Sequence, residues 1–163
     1  MNQTLKNPTN TLTRAAIVAA LYAALTLLLS PLSFGLAQIR VSEALTLLPM
    51  VFPEAVPALA VGCLIANLLG GATALDVVFG TLATLLAAVC TRLLRNRRFA
   101  AMLMPVLFNG VIVGAVVHAA YAPGVPLAAC MLSVAGGEAV SCLLLGPAVL
   151  HALERIPSKM LHS

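Results

Sequence analysis

The sequence predicts an all-α integral membrane protein: one bundle of six helices, with a short or tilted second helix and both termini on the cytoplasmic side. Three observations carry this. Mean hydropathy is +1.06, with 61% hydrophobic and 9% charged residues, against roughly 25% charged in soluble domains. The apolar stretches are continuous rather than alternating, and in hydrocarbon only helices or closed barrels satisfy every backbone N–H and C=O. The basic residues gather at three places, which constrains the number of crossings.

Leu12–Leu29 is the first apolar run, with Lys6 and Arg14 at its start. It has the basic start and apolar stretch of a secretory signal, but Ser30-Pro31-Leu32 offers no small-x-small cleavage site and further apolar runs follow. Those runs are Glu54–Leu69, Asp76–Leu94, Phe99–Tyr121 and Leu127–Leu153, each near the ~20 residues that cross a bilayer core. Val41–Phe52 is short for a span. The basic groups sit at the N-terminus (Lys6, Arg14), in one loop (Arg92, Arg95, Arg97, Arg98) and at the C-terminus (Arg155, Lys159). If all three are cytoplasmic, an even number of crossings separates each pair, so Val41–Phe52 must cross as a short, tilted or partly re-entrant helix. Ser30–Ile39, Gly70–Leu75 and Ala122–Pro126 are then the outer connections, and their prolines and glycines suit turns. Residues 1–163 form a single membrane domain in this reading, without repeats or a soluble module. Cys63, Cys90, Cys130 and Cys142 stand singly inside apolar runs and read as small buried hydrophobes.

On the first helix, at about 100° per residue, Ala15, Ala16, Ala19, Ala20, Ala23 and Ala24 share one half and Ile17, Val18, Leu21, Leu25 and Leu28 the other. Flat small-residue faces let backbones approach closely in lipid. Such a face serves either this protein's own packing or docking to a separate membrane subunit. Gly110 and Gly114 repeat the spacing in the fifth helix, where internal packing is expected.

Ionisable groups inside a bilayer cost on the order of 2.5–3.5 kcal/mol at a helix centre and therefore call for an explanation. Glu138 lies midway along the last helix beside Gly136 and Gly137, and Asn109 midway along the fifth, with His118 near its outer end. Arg40 and Glu43 begin the second helix, Asn67 ends the third and Asp76 begins the fourth. This polar inventory converges on the outer half of the bundle. Each member also has a plainer reading: mutual neutralisation for Arg40 and Glu43, an N-cap for Asp76, interhelical bonds for the two asparagines and for His118. Glu54 is a first-turn acid favoured by the helix dipole. Glu138 is too deep for these alternatives and is the strongest candidate. Ser141, three residues further on the same face, is a ligand donor or helix glue. The sequence has no His-Glu-x-x-His motif, nucleophile elbow or Walker motif, so neither catalysis nor ATP hydrolysis is expected of this chain, and a nucleic-acid partner is not expected either.

Four segments are distinctive in combination. They are Arg40-Val-Ser-Glu-Ala-Leu-Thr-Leu-Leu-Pro49, Val61-Gly-Cys-Leu-Ile-Ala-Asn-Leu-Leu-Gly-Gly71, Leu75-Asp-Val-Val-Phe-Gly-Thr-Leu-Ala-Thr-Leu-Leu-Ala-Ala88 and Leu132-Ser-Val-Ala-Gly-Gly-Glu-Ala-Val140. In this order and spacing they resemble the QueT family, the queuosine-precursor substrate-binding (S) components of energy-coupling factor transporters. The resemblance runs from about Arg14 to Leu150. It implies a six-helix subunit in the cytoplasmic membrane that docks on a transmembrane coupling subunit through alanines of its first helix. Two partner ATPases would use the ATP, and the chain itself would hold no cofactor. The implied cargo is a 7-deazaguanine, such as its 7-aminomethyl or 7-cyano form. A carboxylate such as Glu138 or Glu43 would then accept ring N–H groups or neutralise an amine, and Asn67 and Asn109 would supply donor and acceptor contacts. Phe34, Phe79, Phe108 and Tyr121 are the aromatics toward the outer half. Many members of the family carry a carboxylate two residues before the histidine, where this chain has Val116. The competing expectations are a self-sufficient carrier or channel with Glu138 and His118 as a proton relay, and a membrane-embedded enzyme or assembly factor.

Overall fold

A computed structural model describes residues 8–34 and 38–155. Among these, the chain is helical without strands, in seven helices. They are α1 (Pro8–Leu28), the single turn α2 (Ser30–Ser33), α3 (Val41–Met50), α4 (Ala55–Leu69), α5 (Asp76–Leu93), α6 (Arg98–Tyr121) and α7 (Leu127–Ala152). Four of them, α1, α5, α6 and α7, are long and apolar enough to cross a membrane. Lys6, Lys159 and residues 35–37 of the expected outer connection lie outside the described residues.

The helix that looked too short is explained by its geometry. α3 is a 3-10 helix, not an α-helix, ending in Pro49-Met50. At about 2.0 Å rise per residue instead of 1.5 Å, its ten residues reach about 20 Å rather than about 15 Å. It stops at Met50, two residues before the expected end, and a turn through Val51–Pro53 leads into α4. Seven of its ten residues are buried, because it runs through the middle of the bundle and packs against α1, α4, α5, α6 and α7. A polar side chain on α3 therefore has no route to lipid.

Two ends of the bundle are distinguishable. At one, Arg14 meets Glu54 at 3.6 Å and lies over the Phe52 ring. There too Arg92 donates through Nη1 to the last carbonyls of α3, Pro49 and Met50, at 3.1 Å each. A cation suits that helix terminus. Arg98, Met102, Leu150 and His151 line one cleft, so the start of α6 and the end of α7 also meet. At the opposite end Phe34 abuts Gly70, and Thr73 meets Tyr121. Successive long segments thus run in alternating directions.

Small residues set the closest crossings. A Cβ at Gly62 would lie 2.7 Å from the Ala19 carbonyl oxygen and 2.9 Å from Tyr22 Cβ, so α4 meets α1 backbone to side chain. At Gly114 a Cβ would lie 2.6 Å from Met131 Cα, and at Gly110 2.9 Å from Ala135 Cβ. The glycine pair in α6 therefore packs internally, on α7. The perimeter carries large apolar groups such as Leu28, Leu68, Val78, Leu107, Leu132 and Leu144, while Glu43, Asn67, Asp76 and Glu138 are buried. That is the inverse of a soluble protein.

Candidate functional site

Glu43 stands near the centre of the buried polar cluster because it lies on the buried side of α3. The Tyr22 hydroxyl, from α1, donates to its Oε1, and Thr84 Oγ1, from α5, lies 3.2 Å from the same oxygen. Glu43 Oε2 has no protein partner. Around it, Thr26 and Ser42 hydroxyls are 2.6 Å apart, Thr46 Oγ1 donates to the Glu43 carbonyl at 2.5 Å, and Cys142 Sγ lies 3.5 Å from that carbonyl.

Arg40, just ahead of α3, is buried. Its Nε donates to the Ser33 carbonyl at 3.2 Å, its guanidinium sits 5.3 Å from the Phe34 ring centre, and Nη2 has no partner. Glu43 and Asp76 both act on it electrostatically. Among the described basic residues, it is the one set among these acids. Glu138, on α7, is 1% exposed. It interacts with Glu43 and Arg40, with the Asn109 amide alongside; its Oε2 and both amide atoms of Asn109 lack partners.

On the other flank Asn67 Nδ2 donates to the Asp76 carbonyl at 3.0 Å and approaches Cys63 Sγ at 3.5 Å. Asp76 Oδ2 accepts the Tyr121 hydroxyl at 2.6 Å, whereas Asp76 Oδ1 and Asn67 Oδ1 are unpartnered. Gly80 lets the helix pack closely at this corner: a Cβ there would lie 3.2 Å from Asn67 Nδ2 and 3.6 Å from Asp76 Oδ1. The backbone is unusual at these places. Asp76 and Asn109 each open a wide π-type turn, Tyr121 closes another, and a fourth begins two residues after Glu138. Such turns recur at functional sites because they re-aim side chains off the regular helical spacing.

Six of the eight residues singled out from sequence, Arg40, Glu43, Asn67, Asp76, Asn109 and Glu138, are thus buried in the bundle interior, Asn67 hydrogen-bonded to Asp76 and the charged members within one another's electrostatic reach. Two stand apart. His118 is only half-buried and its Nδ1 lies 2.8 Å from the Val125 carbonyl across the outer turn. Ser141 is buried, but its hydroxyl returns to the Gly137 carbonyl of its own helix at 3.2 Å. The structure adds residues that sequence reasoning passed over: Tyr22, Thr26, Ser42, Thr84 and Cys63. All four cysteines are free and three are buried, but Cys63 departs from the expectation of a plain hydrophobe. Its sulfur is approached by Arg40 Nη1, Asn67 Nδ2 and Thr84 Oγ1. The i, i+4 pair Tyr22 and Thr26 on an otherwise apolar helix was the signal available for that side of the cluster. Among the described residues no group of three or more His, Cys, Asp or Glu is placed to hold a metal ion.

The six alanines of α1 divide. Ala19 and Ala23 are buried and Ala15 partly so, on the side that meets Gly62, whereas Ala16, Ala20 and Ala24 are exposed. The expected single face is therefore two stripes, one turned inward and one outward.

Apolar outside and polar within, with buried groups left unpartnered, the fold defines a multi-pass helical membrane protein with a polar cluster in its interior. The QueT transporter family model matches residues 12–155. Over 82 residues the chain is 42% identical to the queuosine precursor transporter QueT of Lactococcus lactis subsp. cremoris (strain MG1363), covering 49% of this chain and 48% of that protein. The matched stretch thus spans about half the length of that relative. No solved structure matches. The chain belongs to the QueT transporter family, a family of transporters and not of enzymes.

Proposed function

We propose that this chain is the substrate-binding subunit of an energy-coupling factor importer, capturing a queuosine precursor of the 7-deazaguanine class from outside the cell membrane. The observation that carries the reading is the chemistry of the unpartnered atoms. Among the described residues the buried side-chain atoms without partners are oxygens of Glu43, Glu138, Asp76, Asn67 and Asn109 and the Thr81 hydroxyl, against nitrogens of only Arg40 and Asn109. An interior rich in acceptors suits a ligand rich in N–H groups, and a guanine-like edge presents its ring N–H and exocyclic amine side by side. Three carboxyl groups beside one guanidinium offer a protonated amine an anionic partner when one of them ionises against it, so the 7-aminomethyl form is preferred over the neutral 7-cyano form. The name of the Lactococcus lactis relative agrees with this cargo class.

In this reading six segments cross the membrane with both termini cytoplasmic, α3 crossing in extended 3-10 form. The alternating run of the segments and the grouping of Arg14, Arg92 and Arg98 at one end support it. The outward alanines Ala16, Ala20 and Ala24 offer a transmembrane coupling subunit a flat docking stripe. ATP is used by two partner ATPases, and this chain holds no cofactor. Proton relay between Glu138 and His118 is not favoured, because His118 is engaged at the outer turn.

The test is calorimetry on the purified chain in detergent with 7-aminomethyl-7-deazaguanine, its 7-cyano analogue, guanine, thiamine and riboflavin. Tight binding of the deazaguanines without partners, the amine tightest, is expected. A folded chain that binds none of them overturns the proposal.

A further inference from the structure

The chain enters α5 through Thr73-Ala74-Leu75-Asp76, where Thr73 Oγ1 accepts the Asp76 N–H at 3.4 Å, in the manner of a capping box. Tyr121, at the end of α6, closes on this turn through one oxygen. Its O–H donates to Asp76 Oδ2 at 2.6 Å, and the same oxygen accepts the Thr73 N–H at 3.1 Å. The two partners differ in setting. Asp76 is fully buried and Tyr121 is 40% exposed. Asp76 also uses its oxygens differently: Oδ2 faces the tyrosine, while Oδ1 is unpartnered and points to the inner side, near Gly80 and the Asn67 amide and within the field of Arg40.

We infer that Tyr121 and Asp76 form an outer latch, in which the phenol positions the carboxylate so that Oδ1 meets the N–H groups of the captured ligand while the end of α6 is held against the α4–α5 turn. This rests on the binding-subunit reading above. Tyr121 is a positioning residue and touches no ligand. A carboxylate that accepts a ligand N–H on one oxygen and the phenol on the other belongs to a single hydrogen-bonded chain, whose members polarise and strengthen one another. Occupancy and closure of the outer end are thereby linked. Water reaches the exposed side of the tyrosine, so the bond can be exchanged and the latch reopened. The buried side cannot be reached that way, and the ligand leaves only after the tyrosine has let go.

The test is stopped-flow binding of 7-aminomethyl-7-deazaguanine to the full chain in detergent, comparing wild type with Tyr121→Phe. Loss of a hydrogen bond to a charged group is expected to speed dissociation on the order of tenfold, with the association rate constant unchanged or higher and full stoichiometry. Partial misfolding would instead lower stoichiometry and leave the rate constants of the folded fraction alone. A wild-type dissociation rate in Tyr121→Phe overturns the latch. Failure of the wild-type chain to bind overturns the ligand half of the inference together with the reading beneath it. Hydrogen exchange gives an independent check without ligand: the Thr73 amide should exchange faster in Tyr121→Phe, and equal exchange overturns the latch as well.

Discussion

Replacing Glu138 by Gln keeps the volume and shape of the side chain and removes its capacity to carry a charge. In the ligand-free protein the change has little to disturb: Oε2 has no partner, and Glu43 and Arg40 act on the group with opposite signs. Folding stability is therefore expected to stay within about 1 kcal/mol of wild type. Ligand binding is another matter. A charge-assisted N–H···O bond contributes about 1.5–3 kcal/mol, and each 1.4 kcal/mol or so is tenfold in Kd, so Glu138→Gln should weaken binding by roughly 10- to 150-fold. The larger loss is expected for the aminomethyl ligand, which also forfeits attraction between opposite charges, and the smaller for the cyano analogue. Calorimetry with both ligands, alongside thermal unfolding in the same detergent, separates the two effects. A folded variant whose affinity stays within about twofold of wild type would refute the reasoning.

Three other substitutions probe the frame around the site. Gly62→Ala forces a Cβ against the Ala19 carbonyl and Tyr22 and should destabilise the fold by about 1–3 kcal/mol, visible as a lower melting temperature; an unchanged melt would mean that α1 and α4 can slide apart cheaply. Ala20→Leu thickens the outward stripe of α1 and should leave ligand affinity intact while abolishing co-purification with a coupling subunit; retained co-purification would place docking elsewhere. His118→Ala should change ligand affinity by less than about twofold, because the imidazole is engaged at the Val125 carbonyl, and a tenfold loss by calorimetry would bring His118 back into the site.

What could be read from the sequence followed the cost of charge in lipid. Arg40, Glu43, Asp76 and Glu138 stand out in apolar runs because a bilayer makes each of them expensive, and all four are buried in the bundle interior. Thr26, Ser42, Thr84 and Cys63 carry no such penalty. In a hydropathy profile a buried threonine bonding Glu43 looks like a threonine facing a neighbouring helix. Helix periodicity failed in specific places for physical reasons. It assumes 3.6 residues per turn, yet α3 is wound tighter and the turns at Asp76, Asn109 and Val140 wider, so polar residues on different helical phases come to face one interior. The alanines of α1 show the opposite limit. They do share one half of the helix, but that half is broad enough for both an inward stripe against Gly62 and an outward one, and composition does not say where the bundle ends and lipid begins.

Glu43 and Glu138 look alike in the sequence, each a single acid on an apolar helix, but the structure separates their roles. Glu43 accepts from Tyr22 and Thr84 and balances Arg40, so its charge supports the ligand-free fold. Glu43→Gln keeps one carbonyl oxygen for those donors but leaves Arg40 buried with less compensation; the two side chains are not in direct contact, so the cost stays below the ~3–5 kcal/mol of breaking a buried ion pair. Part of this is recovered because Asp76 also acts on Arg40. The expected outcome is a variant that melts clearly below wild type, by several degrees at roughly 2–4 °C per kcal/mol for a chain of this size, and binds ligand weakly as well. Glu138→Gln should lose affinity alone. Measuring melting temperature and Kd for the two variants side by side decides the matter. Equal melting temperatures would mean that Tyr22 and Thr84 do not hold Glu43 as an ionised anchor, and that the two acids share a single role.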